Sequence, residues 1–387
     1  DLSEHIQSTP ISDTHEHLRK EPDWVDGGPA DVLSDLFSNY VPADLISAGA
    51  PPEAVQALAN PEAGELAARW EGVQDAWKAI RHTGYGEAVR ILAEELYGLP
   101  SDFGATDLAA AQPQLDEWRQ PGGRRRLLEE VGGIDHTQTD DFCWPCEPDA
   151  SGPDFFFYDI TWAGFCNGDV KPAELAEETG VTVTDLTSLR QAMGAIFARY
   201  GGCAIAVKAQ HAYSRTLNWQ ERSGTEAQTA LEAILRDGHG GVPVDTQLAL
   251  GDWCWARGVE LAIDHDLPFK LHTGYYAGTD RMPVSRIQAG NLCGLLAKYL
   301  DCRFVLMHIA YPYCDELVAL AKHYRNAYAD LCWAWSIDPF TSADFVRRFL
   351  HAAPANKLFA FGGDTGWPTS AAAYAIQARR WLTRALE

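Results

Sequence analysis

A chain of 387 residues with 46% hydrophobic side chains can bury a sizeable core, which excludes a disordered protein. Its 31 basic against 54 acidic residues give a formal charge of -23, which repels nucleic-acid phosphates and anionic lipid surfaces and leaves a small-molecule substrate as the default partner. Nine cysteines, odd in number and without the dense spacing of a disulfide framework, together with no apolar stretch near ~20 residues and no signal-like N-terminus, point to reduced thiols, no membrane span and a cytoplasmic location.

In chain order, short apolar runs rich in β-branched or aromatic residues alternate with longer amphipathic stretches, the pattern of a parallel sheet with crossover helices. Strands are expected at Ile11–Thr14, Val131–Asp135, Phe155–Ile160, Cys203–Lys208, Phe269–His272, Phe304–His308, Ala327–Leu331 and Leu358–Gly362. Eight strands close a TIM barrel, so the fold class is α/β, a (β/α)8 barrel. Helical patterns lie at Leu186–Tyr200, Thr246–His265, Ile287–Leu300, Asp315–His323 and Ala343–His351, with a last helix from Thr369 onward. The interval between the first two strands is far longer than a βα loop. It carries helical patterns at Asp31–Phe37, Pro52–Ala59, Gly64–Ile80 and Gly86–Tyr97, and is expected to form a helical lobe at about residues 25–125 covering the barrel mouth. Lobe and barrel together are expected to make one domain over residues 1–387.

Functional groups of a TIM barrel sit at the C-terminal strand ends, so the side chains placed there are the candidates. The first strand ends in Asp13-Thr-His-Glu-His17, and residues two apart in an extended segment face the same side, which directs His15 and His17 inward together. The fourth ends in Ala206-Val-Lys208, a lysine after an apolar run where a lone charge is costly. The fifth and sixth deliver His272 and His308, and the eighth runs through Leu358-Phe-Ala-Phe-Gly-Gly to Asp364. Imidazole and carboxylate ligands suit a divalent ion: Zn²⁺ is expected first, with Mn, Fe or Ni as alternatives, one or two ions bound. The close pair Cys143 and Cys146 lacks a second CxxC and reads as a loop with two incidental thiols.

His-x-His, Lys, His, His and Asp on strands 1, 4, 5, 6 and 8 together resemble the amidohydrolase superfamily, over about residues 11 to 366. The resemblance implies a metal set of His15, His17, Lys208, His272, His308 and Asp364, in which Lys208 carries a carbamate bridging two ions and Asp364 handles the proton of the attacking hydroxide. Asp364, Lys208, His272 and His308 are the expected catalytic residues. The segments Asp35–Gly49 and Thr83–Arg90 resemble the uronate isomerase branch, but Asp364-Thr-Gly-Trp367 stands where those enzymes carry Asp-Ser-Arg, and Lys208 is a lysine they lack. Hydrolysis of a C–N or ester/lactone bond is therefore the first expectation, with aldose–ketose isomerisation or metal-dependent decarboxylation as the alternative. His211, Tyr213 and Arg215 beyond the fourth strand, and Tyr275, Trp333 and Trp367 beyond the fifth, seventh and eighth, are candidate substrate contacts, Arg215 for a carboxylate. A homo-oligomer is expected.

Overall fold

The computed structural model describes residues 1–276, 278 and 282–387. Eight parallel strands follow one another in sequence order: β1 Ile11–Glu16, β2 Ile134–Thr139, β3 Phe156–Thr161, β4 Ala206–Ala209, β5 Phe269–Leu271, β6 Phe304–Leu306, β7 Ala327–Asp330 and β8 Leu358–Phe359. Beyond β8 the chain runs on beside β1, where Thr14 N donates to Phe361 O (3.1 Å), Asp364 N to His15 O (2.9 Å) and His17 N to Thr365 O (2.9 Å). These bonds close the barrel and bring the first and last ligand-bearing segments side by side.

The expected second strand starts too early. Leu127–Val131 winds into a π-helical turn, Gly133 takes a left-handed φ of 61°, and the strand begins only at Ile134. A β-branched valine before two glycines imitates a strand start, but glycine's freedom at positive φ serves there to end a helix. The helical pattern at 287–300 also resolves differently, into the 3₁₀ turns Val284–Ile287 and Ala289–Leu292 and the short helix Cys293–Lys298. Elsewhere the amphipathic stretches form the helices Leu186–Tyr200, Val244–Asp264, Cys314–His323, Pro339–Ala352 and Pro368–Leu386. Their starts are capped by sequence: Asp185 accepts from Ser188 N (2.8 Å), and Asp338 from Thr341 N (3.0 Å).

Ten helices from Glu21–Gly27 to Gly123–Arg126 fill the interval between β1 and β2. The pattern at 64–80 breaks in two, Leu66–Glu71 and Gln74–Ile80, across Gly72 and Val73. Phe37, Trp70, Trp77 and Phe103 form an aromatic cluster inside this lobe, and burying a ring such as Phe37 contributes roughly 1.5–3 kcal/mol. The lobe reaches the C-terminal end of the barrel through two tyrosines: Tyr40 donates to Asp364 O, and Tyr85 OH lies 3.4 Å from Tyr275 OH. Arg379 of the last helix donates to Ile6 O and Thr9 O (2.6 Å each) and Gly133 O (2.8 Å), stitching that helix to the barrel's opening strands. All nine cysteines are free thiols, and no helix among the described residues is long and apolar enough to cross a membrane.

Candidate metal centre

Three ligand groups converge at the seam between β1 and the segment after β8. His15 Nε2 and His17 Nε2 lie 3.3 Å apart, each is 3.3 Å from Asp364 Oδ1, and the three ligand atoms fall within 4.8 Å of one another. Opposite them His272 Nδ1 and His308 Nε2 approach to 2.9 Å, with Asp364 Oδ2 4.0 Å from His308 Nε2. Lys208 Nζ stands 3.0 Å from His15 Nε2. The six residues expected from sequence are thus gathered at one place, with Asp364 presenting one oxygen to each histidine pair.

Hydrogen bonding settles the tautomers of three of the four rings. His17 Nδ1 donates to Asp140 O (2.7 Å), His272 Nε2 to Gly274 O (2.6 Å) and His308 Nδ1 to Cys332 O (2.9 Å). A carbonyl only accepts, so the protons sit on these remote nitrogens and the lone pairs of the others point inward. Two lone pairs 2.9 Å apart repel unless a cation or proton lies between them. The donor set, imidazole nitrogens with one carboxylate, is what a divalent ion takes.

The backbone is bent to make this convergence. His308 (φ 61°), Trp333 (φ 61°) and Asp364 (φ 58°), at the ends of β6, β7 and β8, all adopt the left-handed conformation, and non-glycine residues held there are concentrated at functional sites. Gly274 and Gly363 are required by close approach: a Cβ at the first would collide with the His308 side chain and at the second with the Glu16 carboxylate.

Burial pulls His15 down and His272 well below the usual imidazole range, and pushes His308 down to about 3. Burial acts on His17 in the same sense, but the Asp364 carboxylate outweighs it and raises this ring. Burial works against the charge of Asp364, yet the His15 and His17 imidazoles beside it hold the carboxyl well below the usual range. Beneath the ligands, burial pushes Asp13 up to about 8 and Glu16 well above the carboxylate range. Glu16 Oε2 accepts from Thr365 N (2.6 Å) and Oγ1 (2.9 Å), bracing the segment that carries Asp364.

The shift of His308 has a sign that can be checked. Between its unfolded value of about 6.5 and its folded value of about 3, the unfolded chain binds one proton more, so acidification favours unfolding. Through this residue the metal-free protein loses about 1.4 kcal/mol per pH unit over that window. The slope of unfolding free energy against pH should be shallower by this amount in His308→Gln; parallel curves for the two proteins would contradict it.

The candidate substrate contacts separate. Tyr213 OH is 3.1 Å from His272 Nδ1, and Trp333 packs edge-on against His308 and face-on against Tyr275, so these three line the centre. Arg215 is a correction: its guanidinium is buried and committed to Asp252 (2.5 Å) and Cys166 O (3.0 Å), which leaves it structural and not offered to a substrate carboxylate. His211 lies edge-on to Trp255, away from the ligands, and Trp367 packs on Trp24. The residues missed in the sequence are those the lobe and loops supply: Tyr40 on Asp364, Asp140 on His17, and Phe142, whose ring stacks on His17 at 4.3 Å. A cavity of about 440 Å³ opens past Phe142, lined also by Trp144, Thr161, Phe165 and Gln210.

Comparison with known proteins agrees with this fold. The fold is shared with a Lactobacillus casei protein described as a metal-dependent hydrolase (17% identity, TM-score 0.69, covering 99% of this chain and 89% of that one). It is shared also with uronate isomerase from Thermotoga maritima (12%, 0.74, 98% and 88%) and glucuronate isomerase from Caulobacter crescentus (15%, 0.77, 100% and 87%). Protein fluG of Emericella nidulans is 34% identical over 95 residues, a stretch that spans 24% of this chain and only 10% of that protein. The amidohydrolase family model matches residues 172–386, which include Lys208, His272, His308 and Asp364; with more than half its length matched and the ligand types of that family converging on one centre, the chain belongs to the amidohydrolase family.

Proposed function

We propose that this protein is a metal-dependent hydrolase that cleaves a C–N (amide-type) or ester/lactone bond of a small molecule. One observation carries the reading: two sets of inward lone pairs, His15 with His17 and His272 with His308, share the two oxygens of Asp364. When bound, divalent ions there supply Lewis-acid polarisation of the scissile carbonyl and acidify water at neutral pH. His15, His17 and Asp364 would hold one ion, and His272 and His308, with Lys208 beside His15, would hold a second. Asp364, kept ionised by its histidine partners, accepts the proton of the attacking water and returns it to the leaving group. Tyr213, with its hydroxyl beside His272, donates a hydrogen bond to a substrate oxygen. The substrate enters past Phe142, over His17, which at 21% side-chain exposure is the most accessible of the ligands paired with Asp364.

A second reading, aldose–ketose isomerisation or decarboxylation, is favoured by the compactness of the His15, His17 and Asp364 trio, which suits a single ion. Panels of amides, lactones, uronates and aromatic acids, assayed on protein stripped and reloaded with Zn²⁺ or Mn²⁺, separate the two. The expected result is amide or lactone turnover that chelator abolishes and metal restores. Uronate conversion or CO₂ release in its place selects the second reading, and failure of the reloaded protein to bind metal defeats both.

A further inference from the structure

Three of the four ligand histidines anchor their remote nitrogen on a backbone carbonyl, and His15 does not. Its Nδ1 is buried and makes no hydrogen bond. Facing it is the carboxylate of Asp159 on β3, with Oδ2 3.8 Å from Nδ1 and both side chains 0% exposed. That distance is too long for a hydrogen bond. Asp159 is itself held: Lys270 on β5 reaches both its oxygens, at 3.0 and 2.9 Å, and donates a further bond to Thr14 O at 2.8 Å, next to His15. One buried ion pair thereby ties β1, β3 and β5 together directly under the metal centre.

We infer that Asp159 is the positioning residue of His15, its carboxylate fixed by Lys270 to take the Nδ1 proton when Nε2 engages the metal. The inference rests on the metal-centre reading above. A ligand imidazole engaged through Nε2 must carry its proton on Nδ1, and a buried N–H needs an acceptor. Asp159 is the acceptor in place, and a shift of under an ångström brings the pair to hydrogen-bonding distance. A carboxylate carries a full charge where a carbonyl carries a dipole, so it makes His15 the most electron-rich donor of the four. The Lys270 ammonium keeps that charge in place and prevents the carboxylate from turning away.

The test measures Zn²⁺ affinity by competition with a chromophoric chelator, and the His15 ring proton in ¹H–¹⁵N spectra of the Zn²⁺-loaded protein. Asp159→Asn, and the charge-neutral pair Asp159→Asn with Lys270→Met, should each weaken Zn²⁺ binding about tenfold to a hundredfold. In the unmutated loaded protein His15 should show a downfield, exchange-protected Nδ1 proton that moves upfield in the variants. Affinity within twofold of wild type in the folded double variant overturns the inference, as does a rapidly exchanging His15 Nδ1 proton in the unmutated protein. Asp159→Asn alone strands the Lys270 charge and so can unfold; the double variant removes that cost, and the spectrum of the unmutated protein decides the matter if neither folds. Failure of the wild type to bind Zn²⁺ would defeat the metal reading itself, whereas equal binding by wild type and variant defeats only the role of Asp159.

Discussion

Alanine at His15 or His17 is expected to remove metal and activity together, with kcat/KM falling more than about 100-fold. Changes to groups behind the ligands already cost about 10–100-fold in affinity or activity, and loss of a ligand atom exceeds that. His15 Nε2, His17 Nε2 and Asp364 Oδ1 are the three ligand atoms of the trio, so neither histidine can be replaced from within it. The barrel should stay folded in His17→Ala, because that ring is partly exposed and sits at a strand end, where residues serve function more than packing. Metal content by elemental analysis, circular dichroism and kinetics on the purified variants check this. Full activity in both variants would remove the His15 and His17 assignment.

Lys208→Ala is expected to lower bound metal from about two ions to one or none, and short carboxylic acids should partly restore activity by bridging the ions in place of the side chain. The physical argument is the contrast between two buried lysines on adjacent strands. Lys270 Nζ meets both carboxylate oxygens of Asp159, while Lys208 forms no ion pair among the described residues and has His15 Nε2 as its hydrogen-bond partner. A buried lysine without an ion-pair partner is costly. Condensation of its amine with CO₂, releasing a proton, would convert it to an anionic carbamate, a group suited to binding cations. Unchanged stoichiometry in Lys208→Ala, with only weaker substrate binding, would instead assign a free ammonium and favour the single-ion reading.

Much of the barrel was legible because most strands are short apolar runs and the candidate ligands lie in them or a few residues past them. His272 directly follows Phe269–Leu271, His308 lies two residues past Phe304–Leu306, and Lys208 lies within Ala206–Ala209. Regularity of that kind reaches only residues near in sequence to a strand end. Tyr40 meets Asp364 across 324 positions, and Asp159 faces His15 from another strand, so neither shows in any local pattern. Arg215 was misread for the same reason: the partner that neutralises it, Asp252, lies 37 residues on, in a helix. The start of β2 was lost to a local ambiguity, a valine and two glycines that serve a helix end as well as a strand start.

The seam between β1 and the segment after β8 carries a kinetic consequence. His15, His17 and Asp364 are separated by almost the whole chain, yet their backbones are joined by Asp364 N to His15 O and His17 N to Thr365 O. Contacts of such sequence separation form late, because the loop entropy of everything between must be overcome first. Metal capture by this trio would therefore report ring closure, expected late in assembling the barrel. During refolding, helical circular dichroism should recover before Co²⁺ in the centre gains its ligand-field absorption, and the lag between the two signals times the meeting of the first strand with the last.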